Sequence, residues 1–186
     1  MTPLTALWLP ILLSAVFVFI ASSIIHMAPL WHKSDYPKMP RESEVMDALR
    51  PLAIPPGDYM VPRCASGAEM KSAEFHEKMA KGPVMIATVM PNGRMSMGRN
   101  MAMWFVYLVV VEALAAFVTA RAIAPGATFR RAFRFTAAVS FIAYVTALWQ
   151  LSIWYRRAWS SVIKETFDGL IFAVIAGATF GWLWPR

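Results

Sequence analysis

Residues 101–120, MAMWFVYLVVVEALAAFVTA, decide the fold class of this chain, because they form a long apolar run that holds a single charged residue, Glu112. A bilayer core about 30 Å thick is crossed by roughly 20 consecutive apolar residues in a helix. The run therefore predicts a membrane-spanning helix with a carboxyl group close to its centre.

Three further runs have a similar length and apolar character, and tryptophans lie near their ends, as is typical of membrane interfaces. Hydrophobic residues make up 58% of the 186 residues, against about 45–50% in soluble domains. We expect an all-α membrane protein that forms one membrane domain over residues 1–186. Its four transmembrane helices are predicted at about 4–25, 101–120, 135–155 and 166–184.

The segment 26–98 separates the first two predicted transmembrane helices and is expected to form a small mixed α/β cap outside the membrane. Apolar periodicity and capping signals predict short helices over 41–52 and 67–81. An apolar stretch followed by Asn92-Gly93 predicts a hairpin over 84–97.

The net charge of +7 does not indicate nucleic-acid binding, because the basic residues border apolar runs, where lipid headgroups and membrane topology explain them. Four arginines between 121 and 134 flank the short connection between the second and third predicted transmembrane helices. More basic residues lie at the helix ends that face segment 26–98. This excess predicts that the segment is cytoplasmic and that both termini lie outside.

Glu112 is the leading candidate for a functional residue, because a charged carboxylate in the bilayer costs at least about 2.5–3.5 kcal/mol. The short connection between the second and third helices predicts that they are antiparallel neighbours. That pairing places Ser140 and Tyr144 level with Glu112, where both could form hydrogen bonds with it. The three residues are predicted to form an intramembrane polar site, either functional or a structural link between two helices.

Small residues recur every fourth position along the fourth helix. Positions four apart share one face of a helix, and a stripe of small residues lets another helix approach closely. The partner helix could be the first or the third, or could belong to another protein. The stripe consists of Gly169, Ala173, Gly177 and Gly181.

Two carboxylates, Glu165 and Asp168, lie near the predicted start of the fourth helix, close to several basic residues. Carboxylates suit the positive end of a helix dipole. We interpret them as part of a structural charge cluster at the membrane interface.

Methionine is concentrated in one part of the chain, where twelve of the thirteen methionines lie between Met27 and Met103. Thioether and imidazole groups are ligands that Cu(I) accepts. A copper site is therefore one hypothesis, and methionine as adaptable apolar filler is the alternative. The candidate ligands are His26, His32, Met95 and Met97.

Residues 54–60, IPPGDYM, together with residues 22–27, SSIIHM, resemble stretches in a family of small, uncharacterised bacterial multi-pass membrane proteins. The resemblance implies a bacterial cytoplasmic membrane. It implies no activity and no catalytic residue.

Catalytic signatures such as GxSxG or a phosphate-binding glycine loop are missing from the sequence. We therefore expect a non-enzymatic multi-pass protein of the bacterial inner membrane without a cofactor. Its expected role is an accessory or assembly subunit that contacts lipid and other membrane subunits or a second copy of itself. The alternative is a small oligomeric transporter of protons, cations or a solute that uses Glu112. A copper-binding membrane protein is the third interpretation.

Overall fold

The structure, a computed structural model, describes residues 2–27 and 31–186. Four helical segments in this part of the chain are long and apolar enough to cross a membrane: Leu4–Met27, Met97–Ala122, Phe129–Tyr155 and Trp159–Leu183. A small two-stranded sheet lies between the first two in sequence. The predicted fold class, an all-α membrane protein with four spans and a small mixed cap, is confirmed.

Eight α-helices and two strands follow one another within the described residues. They are α1 (Trp8–Met27), α2 (Glu42–Leu49), β1 (Gly57–Val61), α3 (Gly67–Met70), α4 (Ala73–Lys81), β2 (Met85–Val89), α5 (Met97–Ala122), α6 (Phe129–Val145), α7 (Trp149–Tyr155) and α8 (Trp159–Leu183). The turn Thr146–Leu148 joins α6 to α7 within the third span.

The last three spans each begin several residues before the apolar run that predicted them. The helix α6 begins at Phe129, and its first two turns carry Arg130, Arg131 and Arg134. Basic side chains suit the headgroup region, so a helix can continue past the apolar part of its sequence. A hydropathy run therefore marks the part of a helix inside lipid, and not the whole helix.

The chain divides into two compact units: Met1–Pro37 with Ser96–Arg186, and Lys38–Met95. In the first unit α1, α5, α6 and α8 pack together, and α8 lies mainly against α6. One apolar cluster contains Leu108 and Val111 of α5, and a second contains Ala116 and Ala120 of the same helix. The opposite side of α5 stays open to lipid, with Val106 62% exposed.

The small-residue stripe of α8 contacts α6 of the same chain. A Cβ added to Gly177 would lie 2.8 Å from Cβ of Ala137, and one added to Gly181 would lie 2.8 Å from the Phe129 ring. A Cβ on Gly169 would overlap the Val145 side chain. Of the partners that the sequence left open, the stripe packs on the third span.

The second unit contains β1 and β2, which pair antiparallel, with Gly57 opposite Val89. The hairpin predicted over 84–97 is wrong, because β2 pairs with the earlier strand. The residues after Asn92-Gly93 lead directly into α5, whose first turn is capped by the Ser96 hydroxyl. The predicted helix over 67–81 is two helices, because Ser72 interrupts it and caps α4 by accepting from Phe75 N–H.

A pair of Gly→Ala substitutions tests the close packing of α8 on α6. Gly177→Ala should lower the free energy of unfolding by about 1–3 kcal/mol, the cost of overpacking a tight contact, because a new methyl group would meet the Phe133 carbonyl at 2.9 Å. Thermal unfolding in detergent measures the change.

The control is Gly98→Ala in the first turn of α5, where no described atom lies within 4 Å of the added methyl group. It should be neutral or stabilising by about 0.5–1 kcal/mol, because alanine restricts the unfolded chain. Equal effects of the two substitutions would contradict the packing.

Candidate functional site

Glu112 lies in the interior of the helix bundle and is 0% exposed. Its Oε1 accepts a hydrogen bond of 3.0 Å from the Tyr144 hydroxyl. Its Oε2 has no hydrogen-bond partner among residues 2–27 and 31–186. The two apolar clusters of the bundle flank Glu112 along α5, so the carboxyl is surrounded by packed protein and does not face lipid.

Further polar side chains lie where α5 and α6 meet. Thr119 and Thr136 are buried, and their hydroxyl oxygens are 3.3 Å apart. Ser140 is also buried, and its hydroxyl has no partner within the described part of the chain. Because α6 residues four apart share a face, Thr136, Ser140 and Tyr144 form one polar line along that helix beside Glu112.

A cavity of about 230 Å³ opens beside Tyr144. Asp168 and His26 line it together with Tyr144, and Glu165 contributes a second carboxylate. The cavity lies towards the end of the bundle where α1 ends and α5 begins, since it is also lined by Trp104. Tyr144 thus has two contacts. Its side chain lines the cavity, and its hydroxyl donates a hydrogen bond to Glu112. The remaining lining residues are Tyr107, Leu148, Gly169 and Phe172.

A second polar group, which we call the histidine cluster, consists of His26, His32 and Asp168. One potential ligand atom from each of these residues lies within 4.8 Å of the others. His32 Nε2 is 2.8 Å from Asp168 Oδ2. The two imidazole rings are stacked, with centroids 4.6 Å apart and planes inclined by 9°.

Asp35 supports the histidine cluster from outside the membrane-spanning helices. Its carboxylate lies 2.6 Å from His32 Nδ1 and accepts a hydrogen bond of 2.8 Å from Lys164. Burial alone would raise the pKa of Asp35, but hydrogen bonds from Lys164, His32 and Ser161 outweigh it and lower the pKa to about 2. Asp35 is therefore ionised at neutral pH.

The structure brings together some of the residues that the sequence singled out. Glu112 contacts Tyr144, whereas Ser140 is buried nearby without a hydrogen bond to Glu112. His26 and His32 are adjacent. Met97 lines a separate cavity of about 600 Å³ that His26 also lines, and Met95 belongs to the unit Lys38–Met95.

The sequence interpretation missed Asp168 as a partner of the histidines. It assigned Asp168 to the start of the fourth helix, but α8 begins at Trp159, so Asp168 lies well inside the helix and is 4% exposed. The available signal was its position directly before Gly169 on the small-residue face. An acid beside a tightly packed face has little access to lipid or water.

Two substitutions on one face of α6 test the polar site. Tyr144→Phe should lower the free energy of unfolding by about 1–3 kcal/mol, because it leaves the buried Glu112 carboxyl without its donor. Ser140→Ala should leave stability unchanged or higher, because it removes a buried hydroxyl that forms no hydrogen bond. Thermal unfolding of both variants in one detergent is the measurement, and a larger loss for Ser140→Ala would contradict this arrangement.

No family model, no curated protein and no solved structure matches the chain. These comparisons transfer no function to it, in agreement with the resemblance to small bacterial membrane proteins, which also implies none.

Proposed function

We propose that the protein passes protons through the membrane by way of the Glu112 carboxyl. The observation that carries this proposal is the contact between Glu112 and Tyr144, because Tyr144 also lines the cavity of about 230 Å³. Glu112 itself is fully buried. Tyr144 is thus the link through which a proton could move between the cavity and an otherwise enclosed acid.

Only one of the two carboxyl oxygens of Glu112 has a hydrogen-bond partner in the described part of the chain, and this supports a functional role over a structural one. Buried polar groups are nearly always hydrogen-bonded, and each exception calls for an explanation. A carboxyl that served only to join α5 and α6 would be expected to satisfy both oxygens, whereas Oε2 has no partner among the described residues. Ionisable groups within membrane helices are, by default, candidates for proton or ion pathways.

The groups on either side of Glu112 favour protons over hydrated cations. On the cavity side lie the carboxylates of Asp168 and Glu165, which are paired with His32 and Arg157 respectively and make this end of the cavity polar. On the other side the polar residues are the hydroxyls of Ser140, Thr136 and Thr119. A hydroxyl is both a donor and an acceptor and offers no charge to balance a cation, so these residues suit protons better than cations. A continuous relay requires the Ser140 hydroxyl, which has no partner among the described residues, to turn towards Glu112 or Thr136.

The role of accessory or assembly subunit stays a prediction. Its main support in the sequence was the small-residue stripe, and three glycines of that stripe are close to α6 of the same chain. These residues are therefore occupied within the protein and do not indicate a surface for another subunit. The transport proposal has the more specific structural support.

The membrane that we propose is the bacterial inner membrane, with residues 38–95 on the cytoplasmic side. The resemblance of residues 54–60 to bacterial membrane proteins supports the first part. The excess of lysine and arginine near the helix ends that join this segment supports the second. The short turn around Gly126, where φ is +77°, would then lie outside.

The proton proposal is tested by reconstituting the full chain into vesicles with an imposed membrane potential and an internal pH-sensitive dye. The unsubstituted protein should acidify or alkalinise the vesicles in the direction of the potential. Glu112→Gln should reduce the flux to the level of protein-free vesicles, because an amide cannot bind and release a proton. Tyr144→Phe should reduce it by removing the link to the cavity.

The matched control is Glu74→Gln, which makes the same chemical change on the exposed surface of α4. This variant should conduct protons like the unsubstituted protein. A folded Glu112→Gln protein with unchanged flux would refute the proposal, as would unsubstituted protein that conducts no protons under either sign of potential.

Cysteine labelling tests the proposed orientation, because Cys64 is the single cysteine of the chain and lies in the segment 38–95. In spheroplasts, a membrane-impermeant maleimide should label Cys64 only after the membrane is permeabilised. A Thr128→Cys variant in a Cys64→Ser background places the thiol in the α5–α6 turn and should be labelled without permeabilisation. The reverse pattern would place residues 38–95 outside.

A further inference from the structure

We propose that His26, His32 and Asp168 bind a divalent cation of the zinc class. The proposal stands apart from proton transfer through Glu112, because neither Glu112 nor Tyr144 is a ligand and the measurement is different, although Asp168 and His26 line the cavity that the proton proposal uses. Two imidazoles and one carboxylate are a ligand set typical of Zn²⁺ and related first-row metals in proteins. Their potential ligand atoms already lie within 4.8 Å of one another.

In both imidazoles Nδ1 contacts an acceptor, as in many metal sites, and the stacked rings are inclined by only 9°, so the exposed His26 ring must turn before its Nε2 faces a metal shared with His32. The Nδ1 atom of His26 is 2.8 Å from the Ser22 carbonyl oxygen, and Nδ1 of His32 is 2.6 Å from an Asp35 carboxylate oxygen. The acceptor beside each Nδ1 holds a proton there, so Nε2 of His26 carries the lone pair of a neutral ring. Nε2 of His32 faces Asp168 Oδ2 at 2.8 Å and must give up any proton that it shares with that carboxylate before it binds a metal. Metal-binding histidines almost always donate their second N–H to a carbonyl or carboxylate in this way.

Asp168 is held with one oxygen fixed and the other directed at His32. Its Oδ1 accepts a hydrogen bond of 3.0 Å from the Trp31 indole, and its Oδ2 is 2.8 Å from His32 Nε2. With zinc–ligand bonds of about 2.0–2.2 Å, the edge of a tetrahedral site is roughly 3.3 Å. A metal could therefore enter between His32 and Asp168 after a shift of a few tenths of an ångström.

Charge also favours a cation at this position. Asp168 and Asp35 supply two carboxylates around His32, and Lys164, which pairs with Asp35, offsets only one of the two negative charges. When a metal binds Nε2 of His32, any proton between this atom and Asp168 is released to solvent. The Asp35 carboxylate then remains as the acceptor that orients the ring.

The donor set separates this site from the Cu(I) site that the sequence suggested. Carboxylate oxygen is a harder ligand than thioether sulfur and suits divalent ions better than Cu(I). The copper hypothesis named Met95 and Met97 as ligands beside the two histidines, whereas the structure places Asp168 beside them. Both His26 and Asp168 line the cavity of about 230 Å³, which leaves room for water as a fourth ligand.

The test uses the full chain in mild detergent, stripped with a chelator and then titrated with Zn²⁺ against a competing chromogenic chelator. One Zn²⁺ should bind per chain, and Co²⁺ should give the visible absorption of a tetrahedral nitrogen–oxygen site. His26→Asn and Asp168→Asn should each weaken Zn²⁺ binding by at least about tenfold, the smallest loss caused by altering even an outer-shell residue.

The matched control is His76→Asn, because His76 is the remaining histidine of the chain and lies in α4, outside the histidine cluster. Its Zn²⁺ affinity should equal that of the unsubstituted protein. His26 is exposed and bonds to its own helix, so His26→Asn should keep the fold, which circular dichroism checks. The proposal would be overturned if the protein bound no Zn²⁺, or if both cluster substitutions left Zn²⁺ binding unchanged. The histidine cluster would then be a network of ion pairs and hydrogen bonds without a metal.

Discussion

The close contact between α8 and α6 is the constraint on which both polar sites depend. Gly169 packs against Val145 and Tyr144, and Gly177 packs against the α6 backbone at Phe133. In lipid, helices gain little from apolar burial and associate through such close packing instead. This contact brings α8 close to α6. As a result Asp168, the residue before Gly169, lines the same cavity as Tyr144.

The buried acid of α5 is a second consequence of this packing. An ionisable group inside a membrane protein is costly unless it is protonated, paired or held in a polar environment. The bundle encloses Glu112 between two apolar clusters and supplies one donor, the Tyr144 hydroxyl. That donor comes from α6, so the position of α6 against α8 also decides how Glu112 is satisfied.

The two polar sites share one cavity, although they use different chemistry. Tyr144 connects the cavity to Glu112, and Asp168 connects it to the histidine cluster. The cluster is further held by Trp31 and Lys164, which bond to Asp168 and Asp35 respectively. A cation bound at the cluster would lie near the route by which protons are proposed to reach Tyr144, so its charge would oppose their entry.

Much of the architecture followed from the sequence by itself. Four apolar runs predicted four spans, because a helix is the arrangement that satisfies every backbone polar group within lipid. The short turn between α5 and α6 predicted that the two helices are antiparallel neighbours. The constant rise per residue of a helix then predicted that Tyr144 lies level with Glu112. The strand pairing of the second unit was predicted wrongly, since β2 pairs with β1, which is distant in sequence, and not with the residues after Asn92-Gly93.

The tertiary structure alone decided what the polar residues contact. The sequence allowed the glycine stripe three kinds of partner, and only packing selected α6. The sequence interpretation also assigned Asp168 to the start of the fourth helix, because hydropathy marks where lipid begins and not where a helix starts. His26 and His32 are close in sequence, but Asp168 is far from both, and no local pattern encodes that their side chains meet.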